Sequence, residues 1–251
     1  MIKIKRESCP ASLNKPENEI VEGDCTKQDV KDRLLKMQMR KCCYCERDIG
    51  ILPEPEREVE HYVPKHLFRD DSDNILWGKA NQWDNLLYAC GTCNGRKSKK
   101  NPINAITGEI EIINPSTEID PEEYIGFVIN YPIFDYEGKK PEGLRTIEKL
   151  RLANRKDLIH SFRTKSSELN ACFDELINAM ESDDNIKMGA LKSDLRKAMS
   201  AHIPHVAFIR EYVRQRLKKL NNNDLPLLES RHNRAFPRIS IDMPAGNEVV
   251  F

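Results

Sequence analysis

Residues 41–50 read KCCYCERDIG, residues 59–68 read VEHYVPKHLF and residues 81–100 read NQWDNLLYACGTCNGRKSKK. Two Cys-x-x-Cys knuckles, Cys42/Cys45 and Cys90/Cys93, bracket a Glu60-His61 pair, an Asn85-Leu86 pair and Asn94. A knuckle brings two thiolates to one ion from a tight turn, and two knuckles supply the four soft ligands that zinc takes in a tetrahedron. With every position filled by protein, such a zinc holds the fold and does not activate water. The gap between the knuckles exceeds the ~15–20 residues of an ordinary zinc ribbon, so something is inserted. Redox dithiols or two coincidental pairs are the competing reading. Cys43 sits inside the first knuckle and cannot replace either neighbour without changing the turn. Cys9, Cys25, Cys43 and Cys172 read as small, buried or half-buried side chains.

The insert carries a different chemistry. Glu60 and His61 are adjacent on a short strand candidate, Val59–Tyr62, that ends at Pro64. Successive strand residues point to opposite faces, so a bend ahead of Pro64 is needed if both are to serve one centre. An imidazole titrates near neutrality and can take a proton from water. A carboxylate and an amide oxygen are hard ligands suited to magnesium or manganese, and Asn94, opening the last helix, can supply the amide. Asn85 is placed to fix the imidazole by a hydrogen bond. Each of these residues taken singly has a bland explanation in a turn or a core.

Together the order Cys-x-x-Cys, Glu-His-x-x-Pro-Lys, Trp-x-Asn-Leu, Cys-x-x-Cys-Asn-x-x-Lys resembles the zinc-knuckle branch of the HNH endonucleases over about sixty residues. The resemblance implies an α+β fold with a ββα-metal core, structural zinc knuckles and a catalytic Mg or Mn ion. It implies His61 as the base that activates water against a phosphodiester, Glu60 and Asn94 as ligands of that ion, and Asn85 as the group orienting His61. Asn94 stands where the family often has His. Beyond the core, the EHYVPK form of the motif, the segment GLRTIEKLRLANRKDL (143–158) and a helical second half are similar to PtuB-type HNH proteins of Septu and retron anti-phage systems. That likeness implies a DNA-cleaving subunit working with an ATPase partner of PtuA type.

Outward from this stretch, the chain divides into an N-terminal arm and helix (1–40), the knuckle-bearing core (41–105), a β-rich connector (106–143), a helical region (144–220) and a tail (221–251). The arm opens with an alternating IKIK strand candidate. Thr26 with Asp29 resembles a capping box for a helix over Lys27–Arg40. Leu86–Ala89 is a strand candidate and Cys93–Lys100 a helix, giving strand, loop, strand, helix. The connector has an alternating EIEII run (109–113) and an FVINYPIF run interrupted by Pro132. Leu144–Leu152 reads as a short helix, and Asn154 with Asp157 as a cap for the next. Leu158, Phe162, Leu169, Phe173, Leu176 and Met180 then repeat on one helical face. Further helices fit Ile186–Ala201 and Val206–Leu220, separated by Pro204, and one strand fits Arg238–Asp242.

Composition excludes several classes. The 39% hydrophobic share is enough for a core, and no apolar run reaches the ~18–20 residues of a membrane span. The start MIKIKRESCP lacks the apolar stretch of a signal peptide, so the expected compartment is the cytoplasm. A reducing compartment also favours metal over disulfides at the knuckles. Net charge is zero, with 40 basic and 40 acidic residues, so any nucleic-acid surface must be local. Arg96, Lys97, Lys99 and Lys100 follow the last site residue and suit phosphates near a scissile bond, with a solvated Lys97 the plain alternative. Arg145–Lys165 and Arg210–Lys219 are further basic runs, the latter read as a solvated face or a protein interface. Two rival functions remain open on sequence: a zinc-knuckle adaptor without activity, and an HNH nuclease acting on RNA.

Overall fold

The computed structural model describes residues 1–99, 101–130, 133–153, 155–221, 239–244, 248 and 250. The chain forms two compact units, Met1–Ile125 with Glu137–Asn154, and Gly126–Tyr136 with Arg155–Phe251. The first contains both Cys-x-x-Cys knuckles and the segment between them.

In that unit, helix α1 (Gln28–Met37) buries Val30, Leu34 and Met37 at helical spacing. The capping box does not form. Lys27 is the N-cap, the Thr26 hydroxyl donates to the Gly23 carbonyl, and Asp29 accepts from the backbone and hydroxyl of Ser12. Met39 and Arg40 take positive φ angles of 52° and 63°, which stop the helix and aim the chain into the first knuckle. Strand β1 (Arg57–His61) pairs antiparallel with β2 (Leu86–Cys90), Arg57 opposite Cys90 and His61 opposite Leu86. The connection between them contains the short helix α2 (Trp77–Ala80). Helix α3 (Gly91–Lys99) follows β2 without a loop. The expected strand, loop, strand, helix order is therefore the order found.

Strand β2 is buried throughout. Its outer edge is closed by Gln38, whose amide donates to the Tyr88 carbonyl and accepts from the Tyr88 N–H, both at 2.7 Å. This side chain does the work of a neighbouring strand, leaving no open edge there. The arm at residues 1–10 is extended without forming the IKIK strand; the Ile4 N–H donates to the Pro115 carbonyl. The EIEII run gives one isolated bridge, Ile103 to Ile110, and no strand. Helix α4 (Pro141–Leu150) begins on Pro141, whose missing N–H costs nothing at a helix start, and ends on Arg151 in the left-handed region.

Strands β3 (Ile125–Asn130) and β4 (Ile133–Gly138) pair with each other, so the FVINYPIF run is two strands. The second unit holds helices α5 (Lys156–Glu181), α6 (Asn185–Ala198) and α7 (Val206–Asn221). The six apolar positions expected on α5 are all buried, and each such side chain contributes about 1.5–3 kcal/mol on leaving water. Phe162 stacks on Phe208 at 4.2 Å between ring centroids, with Phe127 edge-on to both. Arg155 and Arg210 lie inside the basic runs read from the sequence, yet each is only 2% exposed, so neither belongs to a solvated face. Arg155 is the N-cap residue of α5, while Asn154, Pro132, Arg238 and Lys100 lie outside the described residues. Ile239–Asp242 forms no strand; Ile239 is buried, its backbone paired with the Asn221 amide. Among the described residues no helix is long and apolar enough to cross a membrane.

Candidate active site and metal centre

Cys42 and Cys45 are set by a tight turn in which the Cys42 N–H donates to the Arg47 carbonyl and the Glu46 N–H to the Cys42 carbonyl. Cys90 ends β2 and Cys93 lies in the first turn of α3. The four Sγ atoms lie within 4.8 Å of one another and all four residues are buried. Cys45 and Cys90 are 3.8 Å apart at sulfur. A tetrahedron with Zn–S bonds of ~2.3 Å has edges of about 3.8 Å, so the donor set fits zinc. Burial raises the Cys42 thiol, and neighbouring thiols raise Cys45 and Cys93. Four crowded sulfurs cannot all ionise unless a cation joins them.

The knuckles anchor both ends of the ββα unit, and the polar residues are displayed between. His61 closes β1. Its Nε2 lies 2.8 Å from Asn81 Oδ1. Burial, aided by Lys65 and Lys97 and opposed by Asn81, pushes the imidazole down to about 4. At neutral pH the ring is uncharged and able to accept a proton.

Glu60, one residue earlier on β1, lines the same cavity as His61, although regular strand alternation would separate them. It is 2% exposed. Its Oε1 accepts from the Tyr44 hydroxyl at 3.0 Å and from the Lys97 ammonium, which also donates to the His61 carbonyl. Burial raises the Glu60 carboxyl, against the pull of Lys97. Glu58, two residues back on the same face, accepts from the Asn94 amide. Two rungs thus tie β1 to α3, Glu58 to Asn94 and Glu60 to Lys97. Among the described residues both donors on Glu60 use Oε1 and Asn94 donates through Nδ2, so Glu60 Oε2 and Asn94 Oδ1 are the hard oxygens these side chains could offer a divalent cation.

Sequence reasoning gave Asn85 to His61; Asn81 makes that bond. Asn85 ends a one-turn helix just before β2, and its amide is used on backbone, accepting from the Val63 N–H and donating to the Val63 and Ala80 carbonyls. It shapes the bend that follows His61. Arg96 donates to the Arg151 carbonyl at 2.6 Å, a cation placed on the C-terminal end of α4. Lys97 is neither a solvated lysine nor an open phosphate ligand, since it is buried on Glu60. Lys99 is exposed. Glu58 and Asn81 were missed. Alternation from Glu60 pointed to Glu58; nothing local distinguished Asn81 from Asn85.

A cavity of about 830 Å³ runs past these groups, lined among others by Glu58, Glu60, His61, Lys65, Trp77 and Asn94. Arg69 also lines it, and the Lys65 ammonium lies 5.4 Å from the Trp77 ring centre. Residues 42–100 match the family model described as HNH endonuclease. The chain carries an HNH endonuclease domain. The match begins at the first knuckle cysteine, Cys42, and takes in the second knuckle, Cys90 and Cys93. Over 165 residues the chain is 33% identical to Septu protein PtuB of Bacillus thuringiensis, covering 61% of this chain and 54% of that protein. It is 25% identical over 251 aligned residues to Septu protein PtuB of Bacillus mycoides (strain KBAB4), covering 85% and 83% respectively. The chain thus spans about half the length of the first of these relatives. No solved structure matches it.

Proposed function

We propose that this protein is a metal-dependent endonuclease that hydrolyses phosphodiester bonds of DNA as the nuclease subunit of an anti-phage system, acting with an ATPase of PtuA type. The observation that carries the reading is His61, neutral and held by Asn81, lining a cavity that Lys65 and Arg69 also line, within an HNH domain. The likeness to two Septu proteins supports the defence setting.

In this reading His61 takes the proton of the attacking water, and its fixed ring keeps the accepting nitrogen aimed at one position. Glu60 and Asn94 would hold the catalytic Mg or Mn, with Glu58 steadying the Asn94 amide. When bound, that cation stabilises charge on the phosphate and the leaving oxygen. Lys65, Arg69 and Lys99 neutralise neighbouring phosphates. Cys42, Cys45, Cys90 and Cys93 hold zinc and thereby set the spacing of β1, β2 and α3.

Supercoiled plasmid and a structured RNA, each incubated with the protein alone and with its ATPase partner, test this. Nicking of the plasmid that needs Mg or Mn and stops with EDTA is the expected result. Cleavage of RNA alone would change the substrate; cleavage of neither in any arm would leave a zinc-knuckle adaptor.

A further inference from the structure

The geometry points to Asn81 as a positioning residue that fixes which nitrogen of His61 can accept a proton, and to the chain before the HNH domain as what fixes Asn81. This rests on the reading of His61 as the base.

Asn81 is fully buried at 0% exposure. Its Nδ2 lies 2.9 Å from the Val21 carbonyl and 3.4 Å from the Glu22 carbonyl. Carbonyl oxygens only accept, so the atom facing them is the amide NH₂. The atom 2.8 Å from His61 Nε2 is therefore the amide oxygen, which also only accepts. Nε2 must carry the proton. Nδ1 is then the nitrogen with the free lone pair, and it is the one that takes a proton from water.

Val21 and Glu22 lie outside the matched residues 42–100, in a segment held rigidly. Asp24, 1% exposed, accepts from the Val21 N–H at 2.8 Å and pairs with Lys15 and Lys27 at 2.7 Å each. The same region packs on α2, whose C-cap is Asn81. A Cβ at Gly78 would come within 2.2 Å of the Glu17 carbonyl oxygen, so only glycine permits that approach. Residues 17–24 are in this account a backing wall for the base, and the HNH domain is incomplete without them.

Long-range proton–nitrogen correlation spectra at neutral pH, with His61 assigned by its loss in His61→Gln, read the tautomer directly. The wild-type chain should show His61 only as the Nε2–H form. Asn81→Ala should give a mixture with the Nδ1–H form and lower the kcat of nicking ~10–100-fold, the scale of losing an orienting partner, with KM unchanged. A wild-type Nδ1–H form would overturn the proposal even if Asn81→Ala fails to fold. An unchanged tautomer and kcat in a folded Asn81→Ala would also overturn it while leaving the nuclease reading intact. A tautomer that shifts as expected in a chain that cuts nothing would uphold the positioning and remove the nuclease reading.

Discussion

Lys97 offers a perturbation whose size follows from burial. The Lys97 side chain is 4% exposed and that of Glu60 3%, and the two form an ion pair. Replacing Lys97 by Met keeps the volume and the helix propensity but leaves the Glu60 carboxylate buried with only the Tyr44 hydroxyl as donor. Removing one partner of a buried pair costs ~3–5 kcal/mol, because the other charge stays desolvated. The His61 carbonyl also loses its donor, which adds about 1 kcal/mol. Urea unfolding of zinc-loaded protein, without magnesium, should therefore show Lys97→Met destabilised by at least ~3 kcal/mol. The double variant Glu60→Gln with Lys97→Met should recover part of the loss, since a neutral amide is cheaper to bury than a lone carboxylate. Loss of less than about 1 kcal/mol, the scale of an exposed pair, would refute the reasoning and return Lys97 to the surface as a phosphate contact.

Cys90→Ser should lower bound zinc from about one per chain to none, together with solubility and cooperative unfolding, as measured by metal analysis and thermal melts. Strong chelators acting over hours should have the same effect on the wild-type chain, because binding energy at such a site is folding energy. Asp24→Asn should lower stability at neutral pH and weaken its dependence on acid. Burial alone would raise the Asp24 carboxyl, but Lys15 and Lys27 outweigh it and hold it well below the usual carboxylate range. A depressed folded pKa gives stability that is present above the ordinary Asp value of ~3.9 and is lost as pH falls through the folded value. Melting temperatures of wild type and Asp24→Asn should therefore differ most at neutral pH and converge in acid; a constant difference would contradict the ion-pair assignment.

Much of the ββα unit was legible because its signals are local. The knuckles fix two points, the short stretch at Val59 before Pro64 and the apolar run Leu86–Ala89 mark the strands, and the last knuckle runs directly into a basic helix. The face of α5 was equally legible from periodicity. What the sequence could not show were contacts between residues far apart in the chain. Asn81 and Asn85 are the same residue type four positions apart, and only the carbonyls of Val21 and Glu22 decide which one reaches His61. Arg96 and Lys97 look like any basic run until the end of α4 and the carboxylate of Glu60 claim them. The IKIK and EIEII alternations failed as strands because among the described residues each finds only a single backbone pairing, Ile4 on the Pro115 carbonyl and the isolated bridge of Ile110 to Ile103.

The central claim is that this HNH domain cuts nucleic acid with His61 as the base. Plasmid nicking by wild type and His61→Ala, matched for folding and zinc content and run with Mg or Mn and the ATPase partner, tests it most directly. Nicking by the wild type and a loss of at least ~10²-fold in rate in the variant are expected. Equal rates for the two proteins would contradict it.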